Sequence, residues 1–229
     1  MNKLIKAFYP DVCPRCDKVI GRVGLCEDCK DSFKYIKNPT CAICGRTMSE
    51  DGFCCEDCTK IEHFFKRNVS VFEYRGDIKE CIYRFKYSNM RCYAEFFAEE
   101  AVKRYWKLLK MWKVDCIVPV PMYKNKQKKR GYNQAEEFAK SLSKITSIKM
   151  DAKYLKRRKD TVPMKTLSKQ QRYENLKKAF VVNKDRSTYK RVLVVDDIFT
   201  TGSTIDACAK VLRKNGVEVV YSLCIASGS

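Results

Sequence analysis

The chain has 229 residues, enough for one α/β domain and a small appendage, and at 45% hydrophobic and 12% aromatic it can bury a real core, which excludes wholesale disorder. A formal charge of +20, from 47 Lys and Arg against 27 Asp and Glu, points to phosphate-rich partners, nucleic acid or a polyphosphate metabolite. There is no apolar run of about 18 residues, and Met1 to Phe8 lacks the apolar stretch of a secretory signal, so a cytoplasmic location without a membrane span is expected, where disulfides are disfavoured.

Nine of the 14 cysteines fall in the first 60 residues, and eight of them form four Cys-x-x-Cys knuckles: Cys13 with Cys16, Cys26 with Cys29, Cys41 with Cys44, and Cys55 with Cys58. Cys54 is the ninth. Zinc favours four thiolates in a tetrahedron, and each knuckle offers two from one tight bend. The first two knuckles are nine residues apart and the second pair repeats the plan, which predicts two structural Zn²⁺ sites. The order of pairing, and the choice between Cys54 and Cys55, stay open at this level.

A closed four-thiolate site has no position for substrate, so its role is folding. Roughly 60 residues bury too little surface alone, and a structural zinc contributes on the order of 10–16 kcal/mol in finger peptides. Two filled sites bring the charge to +16, that is 20 minus eight thiolates plus four. His63, the single histidine, reads as an ordinary linker residue. Cys81, Cys92, Cys116, Cys208 and Cys224 are scattered through apolar segments and read as small core residues.

Residues 1–65 are therefore expected to form a Cys-rich zinc-ribbon domain and residues 66–229 a second domain. In the latter, Val69–Tyr74 suits a strand. Ile78, Cys81, Ile82 and Phe85 recur at helical spacing in Gly76–Lys86, and Phe97, Ala101, Tyr105, Leu108 and Trp112 mark a long amphipathic helix over Arg91–Trp112. Cys116–Val120 is a short buried strand, and Ala135, Phe138, Ala139, Leu142 and Ile145 stripe a helix from about Asn133 to Ile145. A polar, basic stretch over Lys153–Lys169 and a short helix ending at Lys178 follow. Val192–Val195, Ser203–Lys214 and Glu218–Ala226 read as strand, helix and strand. Strands alternating with helices predict an α/β fold with a parallel sheet flanked by helices.

The most informative segment is Val192–Val195 emptying into Asp196-Asp197-Ile198-Phe199-Thr200-Thr201-Gly202-Ser203-Thr204. A buried strand leads into a hydroxyl-rich, glycine-containing turn that opens a helix. Such a turn aims several N–H groups and hydroxyls at one spot, where a monophosphate fits. Asp196 and Asp197 then become acceptors for the hydroxyls of a sugar whose phosphate occupies the turn. An ATPase metal site would need a Gly-Lys loop, which the chain lacks. A phospho-acceptor aspartate leaves the Thr-Thr-Gly-Ser-Thr tail unexplained, and a simple helix cap accounts for one residue of the string.

Two runs concentrate positive charge: Lys124, Lys126, Lys128, Lys129 and Arg130 within seven residues, and Lys153, Lys156, Arg157, Arg158 and Lys159 within another seven. Tyr123, Tyr132, Tyr154 and Tyr173 are interleaved. Basic grooves with aromatic platforms suit single-stranded nucleic acid, and five charges exceed what one pyrophosphate needs.

Val192–Thr204 resembles the phosphoribosyl pyrophosphate (PRPP) signature of type I phosphoribosyltransferases. Over nearly its full length the chain is similar to the ComF (ComFC) family of competence proteins. The shared features are the double ribbon, Tyr74-Arg75-Gly76 to Lys86-Tyr87, Val118-Pro119-Val120-Pro121, Lys129–Glu136, and Asp160-Thr161 through Arg172, Asn175, Ala179 and Phe180. Met164 departs from it, standing where the family usually has Gln.

This resemblance implies a type I phosphoribosyltransferase-like domain. Ribose 5-phosphate would be held at Thr200, Thr201, Gly202, Ser203 and Thr204, with its diol on Asp196 and Asp197. A pyrophosphate loop would begin at Pro121, with Mg²⁺ on PRPP and Lys86 nearby, and the closing loop would lie within 156–171. It further implies single-stranded DNA handled by Lys124, Lys126, Lys128, Lys129, Arg130, Lys156, Arg157 and Arg158 during natural transformation. The alternatives are an active phosphoribosyltransferase with an unidentified acceptor, and a ribbon surface that docks a DNA-uptake helicase.

Overall fold

The computed structural model describes residues 11–50, 52–158, 179–185 and 189–228. Two small lobes come first, each built on a knuckle hairpin closed by one antiparallel bridge, Val12 with Val19 and Thr40 with Thr47. The second knuckle of each lobe sits at a short helical turn, Glu27–Cys29 in the first and α1 (Glu56–Lys60) in the second.

Then follow β1 (Arg67–Glu73), α2 (Asp77–Tyr87), α3 (Tyr93–Trp112), β2 (Cys116–Pro119), α4 (Lys124–Arg130), α5 (Gln134–Thr146), β3 (Leu155–Arg157), β4 (Phe180–Val182), β5 (Arg191–Phe199), α6 (Ser203–Lys214) and β6 (Val219–Ser227). Four strands form one parallel sheet in the order β1-β6-β5-β2, the parallel, helix-flanked architecture expected from the sequence. Because all four run the same way, their carboxyl ends share one edge, the usual place for a ligand in such a sheet.

The core alternates across this sheet with the two-residue period of a strand. Leu193 and Val195 face a layer containing Phe85 of α2, Phe97 of α3 and Phe138 of α5, whereas Val192 and Val194 face Cys208 and Leu212 of α6. Burial on both faces is why β5 reads as an unbroken apolar run. α3 stops at Lys113, which takes a left-handed conformation at φ 48°, and α5 starts where the Asn133 side chain accepts the Ala135 N–H at 3.2 Å.

Three features differ from the sequence reading. β5 continues to Phe199, so Asp196 and Asp197 lie within the strand, extended by pairing with Cys224 and Ala226 of β6. Lys124–Arg130 forms α4, a helix without a buried residue, stopped by Gly131 at φ 84°. Its cations at Lys128, Lys129 and Arg130 sit at the carboxyl end, where the helix dipole favours them. Leu155–Arg157, within the stretch read as merely polar, pairs antiparallel with Phe180–Val182. Asp160, Thr161, Met164, Arg172, Tyr173, Asn175 and the short helix ending at Lys178 lie outside the described residues, as does the closing-loop candidate beyond Arg158.

Candidate sugar-phosphate site and its zinc-ribbon wall

The eight knuckle cysteines gather as two sets, Cys13, Cys16, Cys26 and Cys29, and Cys41, Cys44, Cys55 and Cys58, with the four sulfurs of each set within 4.8 Å of one another. Cys55 joins the second set and Cys54 stays outside it. Burial alone would raise the Cys41 thiol, yet N–H groups of Cys55, Cys44 and Ile43 hold it down at about 6. Burial, together with the charge of Cys41, pushes Cys44 up to about 12. One thiolate thus forms readily and opposes the next, an opposition that a dication removes. This donor set fits Zn²⁺ in both lobes.

The lobes attach to different parts of the larger domain. In the first, Arg84 of α2 donates to the carbonyls of Pro14 and Arg15 at 2.7 Å each, and Tyr93 of α3 donates to Asp17. The second rests on the start of β1, where Asn68 N–H donates to Ile43 O at 2.7 Å and its amide to Cys44 O at 2.8 Å. Gly45 must be glycine there, because a Cβ would stand 2.5 Å from Asn68 O.

At the carboxyl edge of the sheet, β5 brings Asp196 and Asp197 out just before Thr200. Lys86, from the last turn of α2, reaches Asp197 with Nζ to Oδ1 at 2.9 Å, both side chains being more than four-fifths buried. Burial would lower the lysine, but Asp197, with Asp196 and Tyr74 behind it, keeps it above its ordinary value. For Asp196, lost hydration and then the charge of Asp197 push the carboxyl up to about 7; the Asp197 N–H at 2.8 Å, Lys86 and Arg157 offset part of that rise.

Beyond the strand, Thr201 and Ser203 share a hydroxyl contact of 2.8 Å, and Gly202 caps α6 at φ 77°. A Cβ on Gly202 would meet Phe199 Cζ at 2.8 Å, so backbone alone fills this corner. The cap makes no side-chain hydrogen bond, which leaves the α6 amino end as a backbone cradle for an anion. The cradle and the carboxylate pair fit a sugar phosphate.

Pro121 leads from β2 toward α4 and borders a cleft of about 1020 Å³. Lys124, Lys153, Lys156, Arg157, Arg158 and Lys184 converge on it, with Asp185 as an acidic counterweight. Lys124 of the first basic run thus meets Lys153, Lys156, Arg157 and Arg158 of the second in one cleft. Lys128 and Lys129 are exposed outside it, and Arg130 turns to α2, with its guanidinium 4.6 Å from the Tyr87 ring centre.

Three features here differ from the sequence reading. Tyr132 and Tyr154 are buried, at 3% and 1% exposed, and cannot stack on nucleobases, whereas Tyr123 is half-buried and lines the cleft; among the described residues the exposed tyrosines are Tyr83 and Tyr87, 4.8 Å apart on α2. Cys81, Cys116, Cys208 and Cys224 are core residues, but Cys92 is exposed at the start of α3. His63 is not an ordinary linker residue. Its side chain is 5% exposed, with Nδ1 2.6 Å from Asp206 Oδ2 and Nε2 3.5 Å from Cys58 Sγ. No local sequence signal marks it, since Asp206 lies 143 positions away. Arg46 likewise carries no local signal, since Thr200 lies 154 positions away. It donates to Thr200 O at 3.3 Å.

Comparison with known proteins matches two stretches of the chain. A family model described as double zinc ribbon domain matches residues 4–59, and one described as phosphoribosyl transferase domain matches residues 108–229. Competence protein F of Haemophilus influenzae is 34% identical over 213 residues, covering 88% of this chain and 89% of that protein. DNA utilization protein YhgH of Escherichia coli K12 is 26% identical over 94% of this chain and 96% of its own length. Competence protein ComFC of Bacillus subtilis is 26% identical over 84% and 79% respectively. Among the described residues no helix is long and apolar enough to cross a membrane.

Proposed function

The chain belongs to the competence protein F (ComFC) family, a double zinc ribbon joined to a phosphoribosyl transferase domain, and from that premise we propose that it binds PRPP or ribose 5-phosphate with Mg²⁺ and handles single-stranded DNA in natural transformation. The observation that carries the reading is an acidic pair near the carboxyl end of β5 followed by a glycine-cornered backbone cradle that opens α6; the large basic cleft beginning at Pro121 borders the carboxyl end of the same helix at Val211 and Asn215.

In this reading the turn Thr200, Thr201, Gly202, Ser203 and Thr204 takes the 5-phosphate, and Asp196 and Asp197 accept the ribose hydroxyls. Lys86, steered by Asp197, adds positive charge beside the sugar. When bound with PRPP, Mg²⁺ supplies neutralisation of pyrophosphate charge. Lys124, Lys156, Arg157 and Arg158 line the path for DNA phosphates, with Lys126, Lys128, Lys129 and Arg130 on the adjoining helix.

Calorimetry with PRPP and Mg²⁺ tests the first half: the native chain binds, and Asp196→Asn with Asp197→Asn weakens binding at least tenfold. Equal affinities would overturn the sugar site. The salt dependence of single-stranded DNA binding tests the second, because each phosphate contact contributes about −0.7 to the logarithmic slope. Charge reversal at Lys124, Lys156 and Arg158 should flatten that slope, and an unchanged slope rules the cleft out.

Turnover as a phosphoribosyltransferase is the second reading. A cavity of about 290 Å³ opens where β1 and β6 end, lined by Arg46, Thr47, Glu73, Tyr74 and Arg75 among others, and Arg46 also donates to Thr200 O, so an acceptor held there would approach the turn. Pyrophosphate release from PRPP in the presence of bases, nucleosides or DNA supports it; silence with every acceptor while PRPP still binds removes it.

A further inference from the structure

The second zinc lobe and the phosphate turn are joined by two bridges that the sugar-phosphate reading leaves unused. Between them lies a cavity of about 310 Å³. On one side Arg46, two residues after the ligand Cys44, donates through Nη2 to Thr200 O at 3.3 Å and through Nη1 to Asp57 Oδ2 at 3.1 Å. It thus ties the first residue of the turn to α1, the helix that carries Cys58.

On the other side runs a chain of contacts from Cys58 to His63 to Asp206. A carboxylate accepts only, so His63 Nδ1 donates to Asp206 Oδ2. The other oxygen of Asp206 accepts the Phe64 N–H at 2.9 Å, and the Asp206 N–H closes the first turn of α6 onto Gly202 O at 2.8 Å. The imidazole stacks on Phe65 with ring centres 4.7 Å apart, and Phe65 packs edge-on against Phe199 at the end of β5. Cε1 of His63 would stand 3.7 Å from a Cβ on Gly202. The contacts on this side reach the last residue of β5, the turn and the helix it opens.

We propose that Arg46 and His63 are positioning residues that couple metal occupancy of the second zinc lobe to the shape of the phosphate turn, so that loss of that one metal weakens sugar-phosphate binding. The physical basis is rigidity. Gly202 has no side chain with which to cap α6, and the turn's own side-chain contacts join only Thr201 and Ser203, so Thr200 and Asp206 are held from outside by Arg46 and His63. Cys44, Arg46, Asp57, Cys58 and His63 hold those points only while the lobe is folded, and a lobe this small folds on its metal. The first lobe grips α2 and α3 instead, and in it Arg15 pairs with Asp77 at 3.2 Å on the surface. It has no such bridge to the turn among the described residues. The inference rests on the sugar-phosphate reading, but one arm of its test does not.

The experiment uses full-length, zinc-loaded protein and compares the native chain with Arg46→Ala, His63→Ala, His63→Asn and Arg15→Ala. Three quantities are read: zinc content, amide hydrogen exchange over residues 199–206, and affinity for ribose 5-phosphate by calorimetry. We expect Arg46→Ala and His63→Ala to keep both metals, exchange at least tenfold faster in the turn, and bind ribose 5-phosphate about tenfold more weakly. His63→Asn, which can still donate to Asp206 from a similar place, should recover most of the loss, and Arg15→Ala should match the native chain. Cys58→Ser, expected to retain a single zinc, should show the largest increase in exchange. Native-like exchange in both alanine variants and in Cys58→Ser overturns the coupling. Faster exchange in a chain that never bound ribose 5-phosphate upholds the coupling and overturns the ligand reading.

Discussion

Neutralising Asp196 should stabilise the protein while disabling its site, and the gain should depend on pH in a direction that the structure dictates. Burial and the neighbouring Asp197 lift this carboxyl from the usual 3.8 to about 7. Between those values the folded chain holds a proton that the unfolded chain has lost. Stability therefore falls as pH rises through the window, because the native state binds more protons there. Three pKa units at 1.36 kcal/mol each give a full penalty of about 4 kcal/mol at and above neutrality, of which about 2 kcal/mol develops between pH 5.5 and 8.

Asn at this position keeps the oxygen that accepts the Asp197 N–H at 2.8 Å but cannot ionise. Urea unfolding of the zinc-loaded native chain and of Asp196→Asn at several pH values across that range is the assay. The zinc lobes and their proton uptake are common to both proteins and cancel in the difference. The variant should gain on the native chain by about 2 kcal/mol from the acidic to the alkaline end. A difference that stays flat, or that shrinks with rising pH, would refute both the burial and the charge argument. The same substitution should weaken binding of PRPP, as expected where a binding site carries an unfavourable charge for the sake of its ligand.

Gly202→Ala places a methyl 2.8 Å from Phe199 Cζ at φ 77°, and should lower stability by about 1–3 kcal/mol, read as a shift in the thermal midpoint, along with sugar-phosphate binding. Lys86→Met leaves two carboxylates without their buried cation, and should cost about 2–3 kcal/mol in urea unfolding at pH 8 and less at pH 5.5, where Asp196 is protonated. Metal analysis should return two zinc ions per chain, falling to one in Cys44→Ser, and chelation should abolish the folded signal of the ribbons in circular dichroism.

Features that depend on neighbours in the chain were legible before any coordinates. Four knuckles, an apolar strand bounded by Asp196 and a turn of threonines around Gly202 are local patterns, because a knuckle or a strand–turn–helix is built within a dozen residues. Helices α2, α3 and α5 are legible from apolar stripes facing the sheet, although Ile145, read into the α5 stripe, is exposed at the end of the helix. α4 did not, since a helix polar on every side carries no periodic signal. β3 and β4 escaped notice because three-residue strands are too short to show alternation and pair across more than 20 positions.

What only the tertiary structure decided is which distant groups meet. The sheet order carries Lys86 of α2 to Asp197 of β5 and draws Lys124 and Arg157 into one cleft. It also turns Tyr132 and Tyr154 inward, where burial wins over the stacking role their basic neighbours suggested. The second lobe, seated on β1, brings Arg46 and His63 onto the phosphate turn, contacts spanning 154 and 143 positions. The side chains that meet there carry no mark of one another in their own segments. Their encounter is set by how a parallel sheet stacks its strands and by where a metal-folded lobe can rest upon it.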